Sequence, residues 1–279
     1  MRWKGERQST NVEDRRGMST GKKVIGGGIG TLVIAIIILL LGGDPQSFLQ
    51  SLGGGTQTED TRAGNIELTE HQKEMGEFVS VVLGYTEDVW GEIFRQNGLE
   101  YRQPKLVLFS DNIESQCGYA AAATGPFYCP TDEKVYIDLD FLEKLQSQLG
   151  AQGDFAAAYI IAHEVGHHVQ NLLGTLDKAN EAKSGVSEAE ANKISVKVEL
   201  QADFLAGIWA HYAQQMKNIL EAGDIQEAMN AAEAVGDDRL QKQSQGYVVP
   251  DSFTHGTSKQ RETWFMTGFN TGDISKGEI

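Results

Sequence analysis

The twenty residues from Val24 to Gly43 carry no charge and are bounded by Lys23 and Asp44. Within them, Leu32 to Leu41 is almost wholly aliphatic. Twenty helical residues span about 30 Å, the thickness of a bilayer's hydrocarbon core. A globular helix of that length would show a polar stripe, and none is present. The expectation is one transmembrane helix over 24–43. It divides the charge unequally. Residues 1–23 hold seven basic side chains (Arg2, Lys4, Arg7, Arg15, Arg16, Lys22, Lys23) and three acidic ones (Glu6, Glu13, Asp14), a net of +4. The remainder has 17 basic and 36 acidic residues, a net of −19. The positive-inside rule then predicts a single-pass inner-membrane protein, with a cytoplasmic tail over 1–23 and everything after Asp44 in the periplasm. A cleaved signal peptide is the rival. Its basic region would be unusually long, and neither an A-x-A site nor a Cys follows Leu41. The acidic body excludes nucleic acid as a main partner, because phosphate binding needs a basic face.

Residues 44–64, rich in Gly, Ser, Thr and Gln, read as a flexible linker, with a folded domain over 65–279. Thr69 and Gln72 resemble a capping box, and Met75, Phe78, Val79, Val82, Val89, Ile93 and Phe94 continue at helical spacing to Gly98. Lys105–Ser110 and Lys134–Asp140 alternate and are β-rich, and 127–129 reads as a further short strand. Helices are predicted near 141–149 and over 154–173, the latter ended by Gly174. A polar loop is expected over 174–186. Ser187 and Glu190 suggest a second capping box, opening a helix to about Met216. Shorter helices follow near 225–234 and 257–268. The order predicts a mostly helical α+β domain with a small sheet. Cys117 and Cys129 are the only cysteines, and outside the cytoplasm such a pair most simply forms one disulfide.

His163-Glu164-Val165-Gly166-His167 is an H-E-x-x-H pattern. On a helix, i and i+4 differ by about 40° in angle and 6 Å in height, so both imidazoles share a face and can bind one divalent ion. Glu164 lies beside that ion, placed to take a proton from water. Zinc lowers the pKa of a water it binds from about 15.7 toward 7, so this placement suits hydrolysis. A chance pair of solvated histidines would not need the apolar approach that Phe155, Ala156, Ala157, Ile160, Ile161 and Ala162 supply. Catalytic zinc takes a third protein ligand and keeps an open position. Glu199 and Asp203 sit at i and i+4 among apolar neighbours, and like charges at that spacing repel. A cation or a histidine N–H explains the pair better than a solvated acidic face does. Glu199 is therefore assigned as third ligand, and Asp203 as the acceptor that orients a zinc-bound histidine.

H-E-x-x-H followed by E-x-x-x-D on the next helix resembles the gluzincin class of zinc peptidases. More specifically, the chain resembles the bacterial Putative neutral zinc metallopeptidase family of membrane-anchored proteins over nearly its whole length. The stretches that carry this are 117–130 (CGYAAAATGPFYCP), 135–141 (VYIDLDF), 162–170 (AHEVGHHVQ), 198–212 (VELQADFLAGIWAHY) and 252–265 (SFTHGTSKQRETWF). The resemblance implies a zincin-like fold, one zinc ion and hydrolysis of peptide bonds, by an endopeptidase rather than an exopeptidase.

His168 points about 100° away from His167 and is unsuited to the same ion. His211 reads as structural or surface. His255, before Gly256 in a loop opening a helix, is a candidate donor to the developing oxyanion. A capping or core role for it is equally open. Arg261 and Tyr128 are weaker candidates for that donor, ion pairing being the simpler reading of Arg261. The segment Ala121–Cys129 is a candidate edge strand for docking an extended peptide substrate. Two rivals stand beside the peptidase: a catalytically silent zinc-binding membrane protein acting as a scaffold, and a zinc hydrolase for a non-peptide bond.

Overall fold

Thr69 caps the first long helix as its sequence suggests. Its hydroxyl accepts the Gln72 N–H at 3.2 Å, and Gln72 Oε1 accepts the Thr69 N–H at 3.0 Å. In this computed structural model the described residues are 1–16, 68–110, 112–121, 125–149 and 153–279. The expected membrane helix (24–43) and linker (44–64) lie outside them. Among the described residues, no helix is long and apolar enough to cross a membrane.

In chain order, the helices are α1 (Glu70–Gln96), α2 (Leu139–Leu149), α3 (Asp154–Leu172), α4 (Thr175–Lys183), α5 (Glu188–Lys217), α6 (Asp224–Ala234), α7 (Asp237–Gln245) and α8 (Ser258–Thr271). The strands are β1 (Val12–Asp14), β2 (Lys105–Phe109), β3 (Asn112–Ser115), β4 (Gly118–Ala121), β5 (Phe127–Cys129) and β6 (Lys134–Asp138). The result is a mostly helical α+β fold with a small mixed sheet, ordered β1-β2-β6-β5. β1, β2 and β6 run parallel, whereas β5 lies antiparallel at the edge, Phe127 opposite Tyr136.

β2 is buried from Leu106 to Phe109, with none of the outward polar positions a one-faced strand would show. The two sides of the sheet explain this. Leu106, Leu108, Val135 and Ile137 join the main core with the helices. Val107, Phe109 and Tyr136 join a second cluster with Ile113, Ala120 and Cys129, because the β3–β4 hairpin covers that face. The Cys117–Cys129 disulfide, Cα–Cα 5.8 Å, ties the turn of the hairpin to β5. The expected edge strand over Ala121–Cys129 is therefore corrected to β5 alone, since 118–121 pairs with β3 and 122–124 lie outside the described residues.

Three further expectations change. The loop expected over 174–186 contains α4, which starts directly after Gly174 (φ 74°) and packs Ala179 inward. Ala, Lys, Leu and Glu favour helix there despite the polarity. The box at Ser187 is half formed: its side chain accepts the Glu190 N–H at 3.3 Å, while the Glu190 carboxylate takes Lys193 at 2.7 Å. The largest change concerns the head of the chain. Residues 1–16, expected as a separate tail, belong to the same fold. Ser9 N donates to the Ser80 carbonyl at 2.9 Å, Leu106 N to the Asn11 carbonyl at 2.9 Å, and Arg15 N to the Leu108 carbonyl at 2.8 Å. Backbone pairing to β2, which composition does not reveal, holds them there.

Candidate metal centre

α3 runs through the core, and its H-E-x-x-H stretch faces α5. The two helices meet closely at Gly166, where a methyl group would come within 3.0 Å of the Ala202 carbonyl oxygen. That approach brings Glu199 onto both imidazoles. Glu199 Oε2 lies 3.2 Å from His163 Nε2, and Oε1 lies 3.5 Å from His167 Nε2. One donor atom from each of the three residues lies within 4.8 Å of the others.

The remaining ring nitrogens are already engaged. His163 Nδ1 is 2.8 Å from Asp203 Oδ1, and His167 Nδ1 is 2.8 Å from Gln170 Oε1. Gln170 is itself held by donating to the Val198 carbonyl at 2.7 Å and to Gln201 Oε1 at 2.9 Å. With an acceptor at each Nδ1, the two Nε2 atoms both point at Glu199. Two imidazole nitrogens and a carboxylate suit zinc, and no fourth protein donor joins the group among the described residues. The donor set thus fits a zinc ion.

Asp203 is fully buried. Besides His163 it accepts the Tyr159 hydroxyl at 2.5 Å, Arg261 Nε at 2.8 Å on Oδ2 and Arg261 Nη2 at 2.9 Å on Oδ1. Arg261, 4% exposed, reaches it because α8 lies directly on α5. Added methyl groups at Gly207 and Gly268 would strike the Phe265 and Phe204 carbonyl oxygens across that contact. Burial disfavours the Asp203 carboxylate, but Arg261 and then His163 overcome this and hold it at about 2. Burial likewise opposes a charged His163, yet Asp203 and Glu199 raise it to about 10. Glu199 is pushed up by burial and pulled well below the usual carboxylate range by His167 and His163. A divalent cation bound by these groups would compete with their protons.

Glu164, 8% exposed, behaves differently. Among the described residues its carboxylate has no hydrogen-bond partner, and burial raises its pKa with only partial relief from His163 and His167. His255 sits in the loop before α8, its side chain about a third exposed. Gly256 beside it packs on Val196 and Leu200, which flank Glu199 on α5. Asp237 Oδ2 accepts the backbone N–H groups of Thr254, His255 and Gly256 at 2.8, 2.7 and 3.0 Å, and Oδ1 lies 3.2 Å from His255 Nδ1. Burial disfavours the His255 imidazolium, but Asp237 and Glu199 raise its pKa.

The other candidates are committed elsewhere. The Tyr128 hydroxyl lies 3.0 Å from His168 Nδ1 and accepts Asn171 Nδ2 at 3.0 Å. His168, fully buried, donates from Nε2 to the Arg102 carbonyl at 2.6 Å. His211 Nδ1 donates to the Phe269 carbonyl at 2.7 Å. Arg261 serves as the buried partner of Asp203. Tyr159, Gln170 and Asp237 escaped the sequence reading. Tyr159 and Gln170 had a usable signal, lying four residues before His163 and three after His167. Asp237 had none. A second acidic group, Asp154, Asp224 and Glu227, surrounds the Met1 amino group, which lies 2.6 Å from Asp154 and 3.4 Å from Asp224.

Comparison with known proteins agrees with this geometry. YpfJ of Escherichia coli K12 is 48% identical over 281 residues, covering 98% of this chain and 96% of its own. Rv2575 of Mycobacterium tuberculosis H37Rv is 45% identical over 183 residues, 62% of this chain and 61% of its own. Both are described as uncharacterized. No solved structure gives a significant match. The model of the family described as Putative neutral zinc metallopeptidase matches residues 1–278, head included, and the chain belongs to that family.

Proposed function

We propose that the chain is a zinc-dependent endopeptidase with a zincin-like site. One observation carries this reading. The Nε2 atoms of His163 and His167 converge with Glu199, while the adjacent Glu164 carboxylate is buried and has no partner among the described residues. When bound, zinc would supply the Lewis acid that polarises a carbonyl and acidifies water. His163, His167 and Glu199 would hold it. Glu164 takes a proton from the water whose oxygen attacks the peptide carbonyl carbon, and then delivers it to the leaving amine nitrogen as the C–N bond breaks. His255, steadied by Asp237, donates from its imidazole to the oxygen that gains charge. Asp203 and Gln170 hold the ligand rings. An extended peptide substrate would pair along the outer edge of β5, which has no strand beyond it among the described residues and packs against α3 through Tyr128 and His168. The Cys117–Cys129 bridge supports a working place outside the cytoplasm, and the 24–43 segment supports attachment to a membrane.

Zinc content and cleavage of a peptide library by the full-length chain, beside Glu164→Gln, test this reading. Stoichiometric zinc is expected in both proteins. Cleavage should fall by about 10²–10⁴-fold or more in the variant. A parent protein that binds no zinc sinks the site, and equal cleavage by both sinks the role of Glu164. Full zinc with no cleavage by either would favour the silent zinc-binding scaffold.

A further inference from the structure

The N-terminal arm is seated in a groove built for it. Glu87 on α1 is 4% exposed, and its carboxylate takes three donors: Arg7 Nη1 at 3.0 Å, Ser9 Oγ at 2.5 Å and Asn11 Nδ2 at 2.8 Å. All three come from the arm. Remove the arm and a buried carboxylate loses every one of these bonds, a costly state for a folded protein. The helix is also shaped for the contact. At Gly84 a methyl group would lie 2.9 Å from the Arg7 carbonyl oxygen, and at Gly76 it would lie 2.8 Å from the Arg16 guanidinium. Arg7 Nη2 donates to the Gly84 carbonyl at 2.7 Å, and Arg16 Nη1 to the Gln72 carbonyl at 2.7 Å. Lys4 pairs with Glu74 at 2.7 Å, and the Trp3 ring meets Phe78 edge-on at 5.4 Å. β1 then extends the sheet, and Glu13 receives Lys134 Nζ at 3.0 Å.

This packing conflicts with the topology that the charge pattern suggests. A single crossing by 24–43 would put residues 1–16 and the zinc domain on opposite sides of some 30 Å of hydrocarbon. An arm that fills the groove of its own domain cannot be there. The positive-inside count also loses force, because Lys4, Arg7 and Arg16 are paired with Glu74, Glu87 and Asp14 in the fold. Arg16 and Leu68, the described residues on either side of 17–67, both lie at the start of α1, where Arg16 holds the Gln72 carbonyl.

We propose that residues 1–16 and the zinc domain lie on the same side of the membrane, the arm docked on α1 and β2. This goes beyond the peptidase reading and does not depend on it. The test uses the full-length chain in spheroplasts, with single exposed cysteines introduced by Gln8→Cys in the arm and Lys178→Cys in α4. Each is treated with a membrane-impermeant maleimide before and after permeabilisation, and labelling is read site by site by mass spectrometry. In parallel, a zero-length carbodiimide is applied to the membranes and the Lys4–Glu74 amide is sought, with Lys4→Gln as control. Expected are two cysteines that label alike, both before or both only after permeabilisation. An intramolecular Lys4–Glu74 link, lost in Lys4→Gln, should accompany them. Cysteines that label on opposite sides overturn the proposal. So does the absence of the link, or its occurrence only in covalent dimers.

Discussion

His163 Nδ1 lies 2.8 Å from Asp203 Oδ1, and the same carboxylate carries both the Arg261 guanidinium and the Tyr159 hydroxyl. One buried carboxylate therefore holds the His163 ring from behind and is itself held by three hydrogen bonds from Arg261 and Tyr159. An acceptor at this place orients the ring and raises its basicity.

Asp203→Asn keeps the shape but removes the charge that Arg261 and His163 share. Zinc affinity, measured by chelator competition, should fall about 10–100-fold. Arg261→Met should weaken zinc as well and lower the melting temperature, because it strands a buried carboxylate. Unchanged zinc affinity in Asp203→Asn would show that the ring does not depend on this acceptor.

Gly166→Ala inserts a methyl group 3.0 Å from the Ala202 carbonyl, between the two helices that carry the ligands. The expected cost is about 1–3 kcal/mol of stability, read by denaturant titration. Zinc affinity should drop with it, since Glu199 moves away from His163 and His167. A stability loss with unchanged affinity would mean that α5 shifts without moving Glu199.

His255→Ala and Asp237→Asn should leave zinc content intact. If His255 donates to the oxyanion, kcat should fall about 10²–10³-fold in His255→Ala with little change in KM. Asp237→Asn should lose less activity and move the pH profile, as it loosens the loop over 254–256. Lost zinc in His255→Ala would instead mark it as a ligand.

Acid should weaken the attachment of the arm. Burial disfavours the Glu13 carboxylate, but Lys134 and then Arg15 hold its pKa at about 2, below the ordinary 4.5. A depressed carboxylate stabilises the fold above the unfolded pKa, and this contribution is lost as the pH falls through about 2. The partly exposed setting reduces the contribution to about 1–2 kcal/mol. Urea titrations at pH 6 and pH 3 compare parent with Glu13→Gln. The parent should lose stability over that range faster than the variant, and parallel losses would refute the assignment.

Much of the fold is legible from local pattern. Thr69, Gln72 and Ser187 mark helix starts through bonds that close within three residues. His163, Glu164 and His167 announce a metal face because helical geometry alone puts them together. Glu199 and Asp203 are legible for the same reason, as an otherwise unfavourable carboxylate pair. α4 and α7 were missed because short polar helices lean on their neighbours more than on any apolar period of their own.

The sequence by itself determined the candidate metal-binding residues, their helices and the pairing of its two cysteines, since each depends on spacing along one element or on counting. The tertiary structure alone decided what lies behind the ligands and where the head of the chain belongs. Arg261 meets Asp203 because two glycines let α5 and α8 touch, and Asp237 meets His255 because a loop folds back over α5. The arm looked like a free basic tail because charge can be counted in a sequence but its partners cannot. Glu87, Glu74 and the edge of β2 claim it only after the chain has folded, when contacts distant in sequence outweigh the cost of ordering it.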